Sequence, residues 1–67
     1  MNFSQALGYV IAGHKVRRKT KLTMYICVLP YQGIVEFRTS DDGVIWQVPY
    51  VGYSDDLLVD DWEIISG

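Results

Sequence analysis

Five of the six positive charges in this chain of 67 residues fall within seven positions, at Lys15, Arg17, Arg18, Lys19 and Lys21. A guanidinium is a planar fork that donates two parallel hydrogen bonds, which makes an arginine pair a natural phosphate ligand. On an extended backbone adjacent side chains leave on opposite faces. Arg17 and Arg18 are therefore expected to be inequivalent, one turned toward a ligand or an interface and the other toward solvent. Flat partners for a base are also present. Tyr25, Trp46, Tyr50, Tyr53 and Trp62 offer rings of the kind that stack on nucleobases beside cationic groups. From these residue types the expected ligand-binding set is Arg17, Arg18, Tyr25, Trp46 and Tyr53. The plainer reading of the basic run is a solvated edge strand, guarded by charge against further pairing.

Other reactive types do not assemble into a catalytic set. Three acidic pairs occur, Asp41 with Asp42, Asp55 with Asp56, and Asp60 with Asp61. Neighbouring carboxylates diverge on a strand or a helix and seldom converge on one ion. Turn chemistry accounts for the first pair, the positive end of a helix dipole for the second, and a strand boundary for the third. Cys27 sits mid-strand among apolar residues and reads as a small buried hydrophobe. His14 follows a helix end and is expected to be solvated. Ser40 and Ser54 have no His–acid partners, and Gly33, Gly43 and Gly52 are isolated turn glycines rather than a phosphate loop. The chain is expected to bind rather than catalyse, with no cofactor and no metal.

The elements that must position these residues are short. A helix is expected over Asn2 to Ala12, with Phe3, Ala6, Leu7, Val10 and Ile11 on one face. Asn2 and Gln5 have capping-box spacing, and Gly13 suits the position after the helix. Gly8 weakens mid-helix unless another backbone approaches it. Strands are expected over Lys15–Arg18, Thr23–Leu29, Ile34–Arg38 and Val44–Val48, with a hairpin signal at Asp42-Gly43. Ser54 is placed to cap a short turn that Leu57 and Leu58 anchor, and Trp62–Ile65 reads as a final strand with Trp62 buried. The fold class is α+β, one N-terminal helix packed on a small, twisted, mostly antiparallel sheet of four to five strands.

A single domain over 1–67 is small. A chain near this length buries only about 60% of the surface it exposes when unfolded, so it needs further support. One cysteine excludes an internal disulfide, and one histidine beside it argues against structural zinc. Thr23–Leu29 is apolar on both faces, and one helix covers only one of them. A homotetramer or homodimer is the expected remedy. The net charge of −2 argues against a nucleic-acid partner. A lone cysteine and the lack of a long apolar run point to the cytoplasm, with no membrane partner.

Phe3, Ala6 and Leu7, then Gly13, Lys15, Val16, Arg17 and Arg18, then Asp56, Leu57, Leu58, Asp61, Trp62 and Glu63 resemble a family of small phage and prophage proteins. Its studied members include the second type of Thoeris anti-defence protein. The resemblance implies an α+β homo-oligomer, typically a tetramer, that acts as a molecular sponge. Such proteins sequester cyclic ADP-ribose isomers made by Thoeris TIR-domain enzymes, and some also hold cyclic dinucleotides in a separate pocket. Where the family often has a tryptophan after the basic run, this chain has Thr20, Lys21 and Leu22. Its middle segment is also shorter than in many members. If phage-encoded, the protein would work in the host cytoplasm. Two other classes fit the residue types. One is a non-catalytic protein–protein interaction module, such as a phage assembly or regulatory subunit. The other is a small nucleic-acid binder that uses the basic strand.

Overall fold

The computed structural model describes residues 1–52 and 54–66. Tyr53, one of the expected ligand residues, lies outside them. The order of elements is α1 (Phe3–Ile11), β1 (Lys15–Arg18), β2 (Met24–Leu29), β3 (Gly33–Thr39), β4 (Ile45–Pro49), α2 (Ser54–Leu57) and β5 (Trp62–Ser66). The strands form one sheet in the order β4-β3-β2-β1-β5, with every neighbouring pair antiparallel. The α+β architecture of one helix on a small antiparallel sheet is thus as the periodicities predict, with five strands.

The ends of α1 are set locally. The Asn2 side chain accepts from the Gln5 backbone N–H at 2.9 Å, and the Gln5 side chain accepts from the Asn2 N–H at 3.0 Å. Two otherwise orphaned donors are satisfied in this reciprocal box. At the far end Gly13 takes a left-handed backbone, φ 104°, which glycine adopts without a Cβ clash. Ala6 and Val10, one turn apart, are fully buried and carry the contact with the sheet. Ile11 does not join them and is 68% exposed. The helix rests on β1, β2 and β5 through a narrow stripe, and a residue next to Val10 is rotated about 100° off that stripe. Among the described residues, and apart from the helix's own neighbouring backbone, no atom lies within 4 Å of a Cβ built on Gly8, so they make no close approach of the kind a mid-helix glycine could mark.

The core lies between α1 and one face of the sheet, where Ala6, Val10, Val16, Met24, Ile26 and Trp62 form one buried cluster. Trp62 is 1% exposed. Phe3 packs edge-on to its ring at 5.6 Å and stacks on Tyr50 at 6.1 Å. The first and last elements are tied directly. The Met1 amino group donates to Trp62 O at 2.9 Å, and the Trp62 N–H donates to Met1 O at 3.1 Å.

Register decides what occupies each face. Met24 pairs with Arg38 and Arg38 with Trp46; Ile26 pairs with Glu36 and Glu36 with Val48. The charged side of β3 therefore lies on the helix-bearing face, beyond the reach of α1. The apolar side of β3, Val35 and Phe37, joins Tyr25 and Cys27 on the opposite face. Tyr25 and Phe37 stack across the strands at 5.1 Å. Among the described residues no element covers this second face.

The closing stretch differs from expectation in one respect. Ser54 is the first residue of α2 rather than its cap, and the inward position of that single turn belongs to Asp56. Leu57 and Leu58 are 45% and 86% exposed. Neither belongs to the buried core, and the turn is fixed by a buried carboxylate instead.

Candidate functional site

Arg18 is the centre of a charge cluster on the helix-bearing face. Alternation along β1 turns Val16 and Arg18 inward together, and both are buried. The Arg18 guanidinium donates from Nε to Asp61 Oδ1 at 2.7 Å, from Nη2 to Asp61 Oδ2 at 3.3 Å and from Nη1 to Asp56 Oδ1 at 3.0 Å. The contact with Asp61 is a two-pronged fork, the strong form of such a pair. Asp56 is almost fully enclosed, at 1% exposure. Its carboxylate also accepts from Lys21 Nζ at 3.2 Å and from the Tyr50 hydroxyl at 3.3 Å, while its backbone carbonyl accepts from the Trp62 indole at 3.0 Å. A buried charge is tolerated only when paired and hydrogen-bonded in this way.

Each partner feels the arrangement. The hydrogen bond from Arg18 holds the Asp61 carboxyl below its ordinary pKa, and the bond from Lys21 does the same for Asp55. Burial works against the charge on Lys21, but its bonds to Asp56 and Asp55 outweigh burial and leave its pKa raised. Burial, reinforced by the negative charge of Asp56, pushes the Tyr50 hydroxyl well above its ordinary value. Tyr50 is thereby kept as a donor.

Beside this cluster the sheet face left uncovered by α1 forms a cleft of about 610 Å³. Lys21, Met24, Glu36, Arg38, Trp46 and Asp56 line it. The connection between β1 and β2 supplies one wall, β3 and β4 the floor, and α2 the side nearest Arg18. Trp46 is 43% exposed, so its ring is accessible at the cleft. Arg38 donates from Nε to Glu36 Oε2 at 2.5 Å. The cleft thus joins two cationic side chains, two carboxylates and an indole.

The expected ligand residues separate into two places. Trp46 lines the cleft and Arg18 stands behind it, reached through Asp56. Arg17 and Tyr25 lie on the opposite, uncovered face. Arg17 donates to Glu63 Oε2 at 3.3 Å, and Lys15 Nζ sits 5.5 Å from the Tyr25 ring. Neither arginine is simply solvated, contrary to the expectation for one of them, because each meets an acid on β5 or α2. His14 is half-buried rather than solvated, with Tyr9 edge-on at 5.5 Å. Glu36 and Arg38 are charged cleft residues that the sequence did not single out, while Lys21 and Asp56 stood out only as members of the basic run and of an acidic pair. The alternation Glu36–Arg38 on β3 was visible, but the face it would occupy was not.

The Tad2-like family model, that of the Thoeris anti-defense 2-like domain, matches residues 1–65. The chain belongs to this family. No curated protein and no solved structure matches it. Membership supports a phage anti-Thoeris role. Four of the residues that carry the resemblance in sequence have a common task in the fold. Arg18, Asp56, Asp61 and Trp62 are joined by hydrogen bonds that tie β1, α2 and the start of β5 together. At the end of the chain Asp56, Asp61 and Trp62 thus act as a structural lock, of which Asp56 also lines the cleft. Among the described residues no helix is long and apolar enough to cross a membrane.

Proposed function

We propose that this Tad2-like chain is an immune-evasion sponge. It binds and sequesters a cyclic nucleotide defence signal, a cyclic ADP-ribose isomer or a cyclic dinucleotide, and releases it unaltered. The observation that carries this reading is the cleft, which Lys21, Arg38 and the partly exposed Trp46 line together. Such a signal presents phosphates to the cations and a base to the indole. Sequestration requires only affinity and enough protein to match the signal, so a nucleophile or a general base has no part in it.

The working form in this proposal is a homodimer or homotetramer. Tyr25, Phe37, Cys27 and Val35 form an apolar centre on the uncovered sheet face, with Arg17 and Glu63 at its side. A second copy on this face would remove the half-buried Tyr25 and Phe37 rings from water, Cys27 and Val35 being already buried within the chain. Arg17 and Tyr25 then act at the subunit boundary, while Trp46 acts in the cleft and Arg18 holds the wall of the cleft. Tyr53 stays in the proposed ligand set on its residue type. The basic run is a poor nucleic-acid surface, because both of its arginines, Arg17 and Arg18, are paired with carboxylates.

Titration calorimetry against cyclic ADP-ribose isomers and cyclic dinucleotides tests the proposal. The expected result is stoichiometric binding of at least one of them, with the same compound recovered by chromatography after heat denaturation. Turnover would make the protein an enzyme. If no member of the panel binds, the exposed apolar residues at Val44, Ile45 and Leu58 favour the protein–protein module instead.

A further inference from the structure

Glu36 is a charged side chain in an unusual position. It lies mid-strand on β3 and is 4% exposed. Its row on the sheet is otherwise apolar, with Ile26 on one side and Val48 on the other. Oε2 accepts from Arg38 at 2.5 Å. Oε1 is buried and has no hydrogen-bond partner among the described residues. A charged acceptor left in this state is a large penalty for a small domain, since buried polar groups are nearly always satisfied. Its location gives a reason for it. Glu36 lines the cleft, one row deeper than the row that holds Met24, Arg38 and Trp46.

The cleft is also not a simple anion hole. Lys21 and Arg38 are balanced there by Glu36 and Asp56, and Asp56 already accepts from Arg18, Lys21 and Tyr50. A ligand that carried only phosphates would satisfy the cations and leave Glu36 Oε1 as it is. The ligand that fits the whole cleft combines an anionic part with a hydrogen-bond donor.

We propose that Glu36 is the specificity-determining acceptor of the cleft, taking a hydrogen bond at Oε1 from an N–H or O–H donor of the bound nucleotide. The inference rests on the nucleotide-binding reading above and adds to it which part of the ligand is read. The donor is an amino group of the base or a hydroxyl of the ribose. Arg38 fixes the direction of the carboxylate, because a guanidinium only donates and so claims one acceptor oxygen for itself. This makes Glu36→Gln an informative change. The amide oxygen must turn to Arg38, and the amide NH2 then occupies the place of Oε1. An acceptor becomes a donor with little change in volume.

The test compares ligands on the intact protein before any substitution. Cyclic di-GMP and cyclic di-IMP differ only by the 2-amino groups. Cyclic ADP-ribose and cyclic inosine diphosphate ribose differ at position 6 of the base, where a nitrogen group is replaced by a carbonyl. The 2′-deoxy form of the tighter probe removes a ribose hydroxyl. In the protein as it stands, loss of the group that Glu36 reads should weaken binding about 10- to 100-fold, the range for a hydrogen bond to a charged group. In the Glu36→Gln protein the parent compound should weaken by a similar factor, and the gap between parent and analogue should close. An effect confined to the amino analogues assigns the base as the source, and one confined to the deoxy probe assigns the ribose. If parent and analogues bind the unsubstituted protein equally, the inference is overturned while the sponge reading stands. Undiminished parent affinity in a folded Glu36→Gln protein has the same consequence. If no probe binds the unsubstituted protein, the sponge reading itself falls, and the inference with it.

Discussion

Arg17 and Arg18 are chemically identical neighbours with different burdens. Arg18 is enclosed and neutralises Asp56, which has no access to water, whereas Arg17 and Glu63 each keep about 31% of the side chain exposed. Arg18→Ala should cost about 3–5 kcal/mol, because it strips the main partner from a buried charge. Arg17→Ala should cost less than about 1 kcal/mol, as exposed pairs do. Urea denaturation of the two variants checks this, and equal losses would refute the assignment. Trp62→Ala removes the largest buried side chain together with its bond to Asp56 O, and should cost about 3–5 kcal/mol. A variant melting within a degree or two of the parent would place Trp62 outside the core. The same cluster sets the acid limb of stability. The pKa of Asp61 is lowered in the folded chain, chiefly by its bond to Arg18. Its contribution is complete above the ordinary carboxylate value of about 3.9 and is lost as pH falls through the lower folded value. Urea midpoints should fall below about pH 4, and Asp61→Asn should flatten that fall.

Among the elements, α1 is the one with the most local instruction and the least efficient interior. Its capping box and terminal glycine fix both ends. Its middle contains Gly8, which has ordinary helical surroundings and open space where a Cβ would be. Gly8→Ala should therefore stabilise the chain by roughly 0.5–1 kcal/mol, through helix propensity and a less flexible unfolded state. Thermal melting reads the effect. Destabilisation instead would indicate that a partner subunit packs closely on that turn. The element α2 shows the opposite balance. Four residues cannot hold a helix by propensity; Asp56 fixes this turn by accepting from Arg18, Lys21 and Tyr50.

Across the whole molecule the two sheet faces have different fates. One is covered by α1 on β1, β2 and β5 and opens into the cleft over β3 and β4. Among the described residues no element covers the other, where Tyr25 and Phe37 are half-buried beside the buried Cys27 and Val35. Phe37→Asp would place a charge beside Tyr25 in the middle of that face. If a second copy docks there, light scattering should show the parent as a dimer or tetramer at micromolar concentration and the variant as a monomer. A parent that is monomeric across that range would remove the oligomer from the proposal.

The sequence by itself determined the parts whose causes are local or periodic. The caps of α1 follow from Asn2, Gln5 and Gly13, which act within a few residues of one another. The inward turn of Val16 and the burial of Trp62 follow from alternation and side-chain size. The inequivalence of Arg17 and Arg18 follows from the period of a strand. Only the tertiary structure decided what each face would meet. Arg18 finds Asp56 and Asp61 at separations of 38 and 43 residues, members of two different acidic pairs whose convergence no local spacing encodes. The placement of Glu36 and Arg38 on the helix-bearing face depends on the register of β3 against β2, and on how far α1 reaches across the sheet. A strand's alternation states that two faces differ, but the side that is covered is settled by packing between elements remote in sequence.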